Sequence, residues 1–293
     1  MNNHTRIALS LEYDGSDFHG WQRQENAISI QETLENALKQ VASEEAIATV
    51  CAGRTDAGVH ARCQVVHFDT QANRSERAWV YGANTVLPHS VRVLWAKPVP
   101  QSFDARRTAL ARHYRYIIYN HPLRPSLFRS NLSWYYKELD IELMQQAAEY
   151  WIGEHDFTSF RATSCQSRSP IRRVSKISVQ AIQDFVIIDL VANAFLHHMV
   201  RNMVGVLLKI GSREAPVSWA KKVLEAKDRR EAGLCASPKG LYLMGVHYPA
   251  EFGLPTTTWS GQSEAAWVAE AAQAGESTRD CIHLIHDHER FLV

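Results

Sequence analysis

The chain has 293 residues, 45% hydrophobic and 22% charged, with a formal net charge of +1; these are ordinary globular values, so wholesale disorder is excluded and one large or two ordinary domains fit. No apolar run is long enough to cross a bilayer, and the polar amino terminus lacks the basic-then-apolar pattern of a signal peptide. Five scattered cysteines (Cys51, Cys63, Cys165, Cys235, Cys281), never spaced as CxxC, argue against a disulfide framework or structural zinc, so a soluble cytoplasmic protein is expected.

In chain order, Ile7, Leu9, Leu11 and Tyr13 alternate with polar or small residues and predict a half-buried strand ending at Asp14-Gly15. YDGSDFHGWQRQ reads as an ordered loop. Ser29-Ile30-Gln31-Glu32 is a capping box, and Ile30, Leu34, Leu38 and Val41 continue at helical spacing. The stretch AGRTDAGVHA (52–61) comes next, then the strand-like CQVVHFDT, so Asp56 is expected in a loop between a helical region and a strand. Val91 to Lys97 predicts a strand, broken at Pro98 and Pro100. HYRYIIYN is strand-like and Ile141 to Ile152 helix-like. Val174 to Ile182 and Phe185 to Ala192 predict two strands, Phe195 to Ile210 a helix, Trp219 to Leu224 a short helix, and Leu241 to His247 a last strand. Together these suggest α+β layers with largely antiparallel pairing, in two similar halves joined near residues 98 to 110.

Charge is unevenly spread. From Thr256 onward there are six acidic and two basic residues, so the remainder carries 30 basic against 25 acidic, a net of +5. Gln101 to Tyr135 holds six arginines and one acid, Asp104; Phe157 to Gln183 holds Arg161, Arg168, Arg172, Arg173 and Lys176 with no acid. Such stripes suit a phosphate backbone, or form a solvated face neutralised by acids from elsewhere in the fold.

Three motifs carry candidate chemistry. In Gly53-Arg54-Thr55-Asp56-Ala57-Gly58, flanking glycines permit a tight turn, and Asp56 either bonds nearby amides or is presented to a ligand. Arg54 either engages a phosphate or forms a surface salt bridge. In FLHHMVRNMVG, Arg201 falls four residues after His197 on a helix. A guanidinium among apolar neighbours calls for an anion, either a phosphate of a ligand or a carboxylate from another segment; Asp56 would serve, and such a pair would keep that carboxylate ionised as a nucleophile or base requires. The alternative is an Arg201 that reaches solvent. In ARHYRYIIYN, Tyr114 and Tyr116 share a strand face with Arg112 flanking and Arg115 opposite; they either stack on bases or pack. His283, His286 and His288 match no metal-site spacing, and the nearness of Cys51 and His60 in sequence does not make a catalytic dyad.

YDGSDFHGWQRQ, the helix beginning SIQETLE, CAGRTDAGVHA, FDARRTALARHYRYIIY and FLHHMVRNMVG, in that order, resemble the bacterial tRNA pseudouridine synthase A family over residues from about 5 to 250. The resemblance implies the pseudouridine synthase fold, α+β, with two similar α/β halves, a continuous, mainly antiparallel sheet and a basic central cleft. The halves are expected at 1–104, carrying the Asp loop, and 105–253, completing the cleft, with 254–293 an acidic tail that matches no family motif. It implies a homodimer that binds tRNA and isomerises uridine to pseudouridine in the anticodon stem-loop, at tRNA positions 38, 39 and 40, without cofactor, metal or membrane. By that resemblance Asp56 is the catalytic nucleophile and Arg54 helps extrude the target nucleotide. Tyr114 stacks on the target base, and Arg201 pairs with the carboxylate.

A base inside a stem is unreachable until it leaves the stack, at a cost of a few kcal/mol that Arg54 and a stacking tyrosine can offset. Either a glycosidic carbon or the uracil ring is open to Asp56. Two rivals stand beside this reading: a non-catalytic RNA-binding protein on the same scaffold, and a hydrolase using Asp56 as base, for which no second carboxylate or metal cluster is in view.

Overall fold

Strand β1 (Thr5–Tyr13) forms where the alternation predicts it, but Ala8 and Ser10 on its second face are buried along with Ile7, Leu9 and Leu11. Both are small, and Ser10 Oγ lies 3.2 Å from Cys63 Sγ, so the strand is interior rather than half-buried. The computed structural model describes residues 4–255, which form one compact unit. The acidic segment 256–293 and its three histidines lie outside the described residues.

Helix α1 (Ile30–Ala42) starts as the capping box predicts, Ser29 Oγ accepting from the Glu32 amide at 3.3 Å, and buries Ile30, Leu34 and Leu38. β2 (Val50–Cys51) and β3 (His60–Thr70) flank the loop carrying Asp56. Helix α2 (Glu76–Val86) has no counterpart in the sequence reading. Gly82, Asn84, Thr85 and Val86 are weak helix formers. Its support is tertiary: Ser75 caps the Ala78 amide, and buried Trp79 meets Phe68 edge-on at 5.1 Å.

β4 (Val91–Val99) runs through Pro98, where a break was expected. It is an edge strand, so a missing amide is tolerated on its outer side. β5 (Ala111–Asn120) is followed by β6 (Ser133–Tyr135), α3 (Ile141–Glu149) and β7 (Gly153–Asp156). Here α3 ends three residues before the expected Ile152, because the chain turns at Gly153, φ 107°, to enter β7. β8 (Ile171–Ile182) and β9 (Phe185–Ala192) form the expected hairpin; α4 (Met199–Gly211), α5 (Trp219–Ala226) and β10 (Leu241–His247) complete the order.

Among the described residues all ten strands join one sheet in the order β4-β1-β3-β10-β5-β9-β8-β7, with β2 on β3 and β6 on β5. Neighbours are antiparallel except at β10–β3 and β5–β6, so the α+β class with a continuous, mainly antiparallel sheet holds. Helices α1 and α2 pack together with α2 along β4, while α3 lies along β8 and against α4.

The insertion of β10 positions the site. The last strand pairs antiparallel with β5 from Leu241↔Tyr116 to His247↔Ala111, and parallel with the very start of β3 at Tyr242↔His60 and Leu243↔Ala61. The loop leading into β3 is thereby brought beside Tyr114 on β5. Buried His60 pins this junction. Its ring stacks on Tyr242 at 4.7 Å, Nδ1 accepts from the Gly15 amide, and Nε2 lies 3.1 Å from the Lys239 carbonyl oxygen.

Candidate active site

Residues 52–59 are held within their own neighbourhood at several points that do not involve the Asp56 carboxylate. Gln64, fully buried, clasps Gly53: its Nε2 donates to the Gly53 carbonyl at 2.5 Å and its Oε1 accepts from the Gly53 amide at 3.4 Å. The Thr55 hydroxyl meets Tyr13 Oη at 2.8 Å, and its carbonyl accepts from the Trp21 amide at 3.0 Å. Of the two glycines flanking Arg54 and Asp56, only Gly58 is left-handed, at φ 74°. The more demanding glycine lies outside the motif. Gly20 sits at φ 90°, and a Cβ there would lie 2.7 Å from the Thr55 carbonyl oxygen. Asp56 is therefore a side chain held out by its loop rather than a group that ties the loop together.

Three cationic or ionisable groups converge on that carboxylate. Arg201 Nη1 donates to Oδ2 at 3.0 Å, His197 Nε2 lies 3.2 Å from Oδ1, and His198 Nε2 lies 3.4 Å from Oδ2. The Asp56 and Arg201 side chains are 17% and 14% exposed, so the pair is largely out of water. Arg201 Nε also donates to the Ala236 carbonyl at 2.8 Å, which fixes the guanidinium. It pairs with the carboxylate and does not reach for solvent.

The helix bearing Arg201 begins later than periodicity predicts. Met199 rather than Phe195 is its first residue, and His198 is the N-cap at φ 62°, ψ 4°. His197 and Arg201 thus do not share a helical turn as expected; a left-handed residue between them aims both at Asp56. A non-glycine residue held there costs on the order of 1–3 kcal/mol, and such strain concentrates at functional sites.

Burial by itself would raise the Asp56 pKa. The His197 hydrogen bond, the charges of both histidines and the Arg201 guanidinium outweigh it, so the carboxyl titrates below its ordinary value and is ionised at neutral pH. Its hydrogen bond to Asp56 raises the pKa of His197, whereas burial lowers that of His198. The donor atoms of Asp56, His197 and His198 lie within 4.8 Å of one another, a spacing a cation could span. Arg201 already occupies Oδ2, and its positive charge opposes a second cation there.

Tyr114 is 7% exposed and meets Phe195 edge-on at 4.9 Å; burial pushes its phenol far above the usual range, so it stays protonated. Tyr116 shares its strand face but is fully buried and donates to the Ser237 carbonyl, so it packs instead of lining the cleft. Arg54 is exposed. Its Nη1 lies 3.5 Å from Gln166 Oε1, and no ion pair joins it to Asp56 among the described residues. Cys51 and His60 form no dyad: burial raises the thiol pKa to about 12, and the imidazole is committed to the Gly15–Lys239 junction.

Asp56, Arg54, Tyr114, His197, His198 and Arg201 line a cleft of about 1210 Å³, larger than the ~300–1,000 Å³ usual for a small-molecule pocket. Arg54, Arg106, Arg107, Arg112, Arg172 and Arg201 face it, and among the described residues Asp56 is its one carboxylate. The basic stripes divide accordingly. Arg115 pairs with Asp189 on the opposite sheet face and Arg173 with Glu154, as the neutralised-face alternative held for those two, while Arg106, Arg107, Arg112 and Arg172 line the cleft.

Sequence reasoning left His198 and Gln64 aside and gave Arg112 a different part, flanking the tyrosines of β5. His198 and Gln64 gave no local signal. Arg112 did give one, since it shares the inward face of β5 with Tyr114 and Tyr116. Its five N–H groups donate to four backbone carbonyls: Ala52 (3.2 and 2.9 Å), Arg106 (2.6 Å), Ala109 (3.1 Å) and Asn193 (2.7 Å). It ties the Asp56 loop to the segment before β5 and to the one before α4.

The chain is similar to known proteins over most of its length. The family described as tRNA pseudouridine synthase matches residues 9–106 and 147–249. A tRNA pseudouridine synthase A from Coxiella burnetii is 54% identical over 250 residues, covering 85% of this chain and 95% of that protein. One from Pseudoalteromonas atlantica has the same identity and coverage, and one from Legionella pneumophila is 53% identical over 249 residues, again 85% and 95%. The solved archaeal box H/ACA sRNP complex overlaps with a TM-score of only 0.33 at 10% identity, covering 80% of this chain and 59% of that one. The two matched segments contain both halves of the Asp56–Arg201 pair, and the chain belongs to the tRNA pseudouridine synthase family.

Proposed function

We infer that the protein isomerises uridine to pseudouridine in tRNA, with Asp56 as the nucleophile, on the 3′ side of the anticodon stem-loop. One observation carries the residue assignment: a single ionised carboxylate, held by Arg201 and two histidines, faces a cleft lined by six arginines. The arginines attract a phosphate backbone, and the carboxylate attacks either the ribose carbon or the uracil ring of a nucleotide brought out of its stack. Arg54, exposed at the cleft, takes the place the extruded nucleotide leaves. Tyr114 offers a ring edge and a protonated phenol beside the base. The cleft lies between the segments 1–104 and 105–253, and a homodimer engaging one tRNA across both subunits belongs to the same reading; sedimentation of the protein with and without tRNA tests it. No helix among the described residues is long and apolar enough to cross a membrane.

The test is tritium release from a tRNA transcript labelled at C5 of uridine, because joining C5 to ribose expels that hydrogen. The parent protein releases tritium, and Asp56→Asn, which keeps shape but not charge, binds tRNA without releasing it. Turnover by Asp56→Asn would remove the nucleophile assignment. Tight binding without release by the parent would favour a binding protein instead.

A further inference from the structure

The isomerisation moves two protons. Whichever carbon Asp56 attacks, N1 of uracil gains a proton as its bond to ribose breaks, and C5 loses one as the new bond forms. Asp56 is bonded to carbon when N1 needs its proton, so another group must deliver that one, and the carboxylate freed afterwards is paired with Arg201, which disfavours its keeping the C5 proton. Few in the cleft are suited. Tyr114 is buried with a phenol that does not ionise near neutral pH, and the arginines keep their protons. His19 lines the cleft, but no bond joins it to Asp56 among the described residues.

We propose that His197 and His198 are the proton-handling pair of the reaction, His197 delivering a proton to N1 of the detached uracil and His198 accepting the proton that leaves C5. This rests on the reading of Asp56 as nucleophile. The two imidazoles sit one on each carboxylate oxygen, at 3.2 and 3.4 Å, with ring centroids 4.1 Å apart, and both line the cleft. Partial exposure, 39% and 31%, leaves them open toward a bound nucleotide. Ser164 Oγ holds His197 Nδ1 at 3.1 Å, and the left-handed backbone at the start of α4 holds His198.

The charges around the pair divide its labour. Asp56 faces it from the loop before β3, Arg201 from α4, and Arg229 from the short helix 229–232; Ser164 and Cys165 face it from the segment after residues 158–160. Asp56 favours the proton on His197, while burial disfavours one on His198, and two neighbouring groups pushed in opposite directions are suited to act as acid and base. The carboxylate also times the transfer. When Asp56 forms its bond to carbon, its negative charge disappears and Arg201 remains, so the proton on His197 loses its partner as N1 needs it. The C1′–N1 bond breaks with its electron pair on N1, which takes the His197 proton. The C5–C1′ bond then forms, the Asp56–carbon bond breaks with its electron pair returning to the carboxylate, and the C5 proton goes to neutral His198. The proton returns from His198 to His197 through their contact or through water, and no net proton or electron is exchanged.

The test is single-turnover tritium release across pH by the intact protein, with His197→Gln and with His198→Asn, chosen because asparagine tolerates the left-handed backbone. General acid–base catalysis contributes on the order of 100-fold or more, so each variant should slow by at least about that factor while binding tRNA normally. The parent profile should be bell-shaped, with an alkaline limb above ~6.5 from His197 and an acid limb below it from His198. Each variant should lose its own limb, and His198→Asn should gain a primary isotope effect with C5-deuterated uridine. His198→Gly, which permits the same backbone and leaves space, should recover rate with added imidazole. Variants within about threefold of the parent, with both limbs intact and no rescue, overturn the proposal. Asp56→Asn separates the two readings: inactivity there beside active histidine variants removes only this pair, whereas an active Asp56→Asn removes the nucleophile beneath it.

Discussion

Arg112→Lys probes how the site is assembled without changing the charge of the cleft. The native guanidinium is buried and uses all five N–H groups on the carbonyls of Ala52, Arg106, Ala109 and Asn193. Among the described residues no carboxylate is bonded to it, and burial holds its pKa below the usual arginine value. An ammonium has three donors, so at least two bonds are lost. At about 1.5 kcal/mol each, the low end for hydrogen bonds to a charged group, the floor is about 3 kcal/mol. For a domain of this size that corresponds to roughly 6–12 °C in melting temperature. Urea unfolding followed by tryptophan fluorescence gives the free energy, and tritium release gives the turnover. Turnover should fall too, because Ala52, which accepts two of the five bonds, anchors the loop carrying Asp56. A loss under about 1 kcal/mol with unchanged turnover would refute the view of Arg112 as the tie between these segments.

Gly20→Ala should destabilise by on the order of 1–3 kcal/mol and slow turnover, because its φ of 90° and the nearby Thr55 carbonyl leave no room for a methyl group; parental values on melting and tritium release would show that the loop can give way. tRNA affinity should fall steeply with salt. If exposed Arg54, Arg106 and Arg107 each neutralise one phosphate, log K against log salt has a slope of about −2 to −3, and a flat plot from filter binding would contradict the basic cleft. Burial opposes ionisation of Asp189, but the His113 hydrogen bond and Arg115 outweigh it and depress its pKa. Its stabilisation is therefore present above the unfolded value near 3.9 and is lost as pH falls through the lower folded value. Urea midpoints measured from pH 7 to 3 should drop most below about pH 4, and less so in Asp189→Asn; identical profiles would contradict the assignment.

Seven of the ten strands among the described residues, the capping of α1 and the singling out of Asp56 and Arg201 come from the chain itself; the short β2, β6 and β7 do not. Each is expressed locally, in a period of two, a Ser-x-x-Glu spacing, or a charge set among glycines or apolar residues. A guanidinium in an apolar helix calls for an anion by its chemistry, but it was the family resemblance that matched Arg201 to the carboxylate of Asp56, 145 positions away. Local pattern does not say what lies opposite a face. Tyr114 and Tyr116 look alike in β5, yet one lines the cleft and the other packs. Arg115 and Arg112 are three residues apart, yet only Arg115 meets an acid, Asp189, 74 positions away. Helix α2 exists because Trp79 finds Phe68, and His198 reaches Asp56 because the chain accepts a left-handed residue before α4. These outcomes depend on the insertion of β10 between β3 and β5 and on the packing around it. The sequence by itself determined which residues carry charge and periodicity; the tertiary structure decided which of them meet, because ion pairing and burial depend on contacts between segments far apart in the chain.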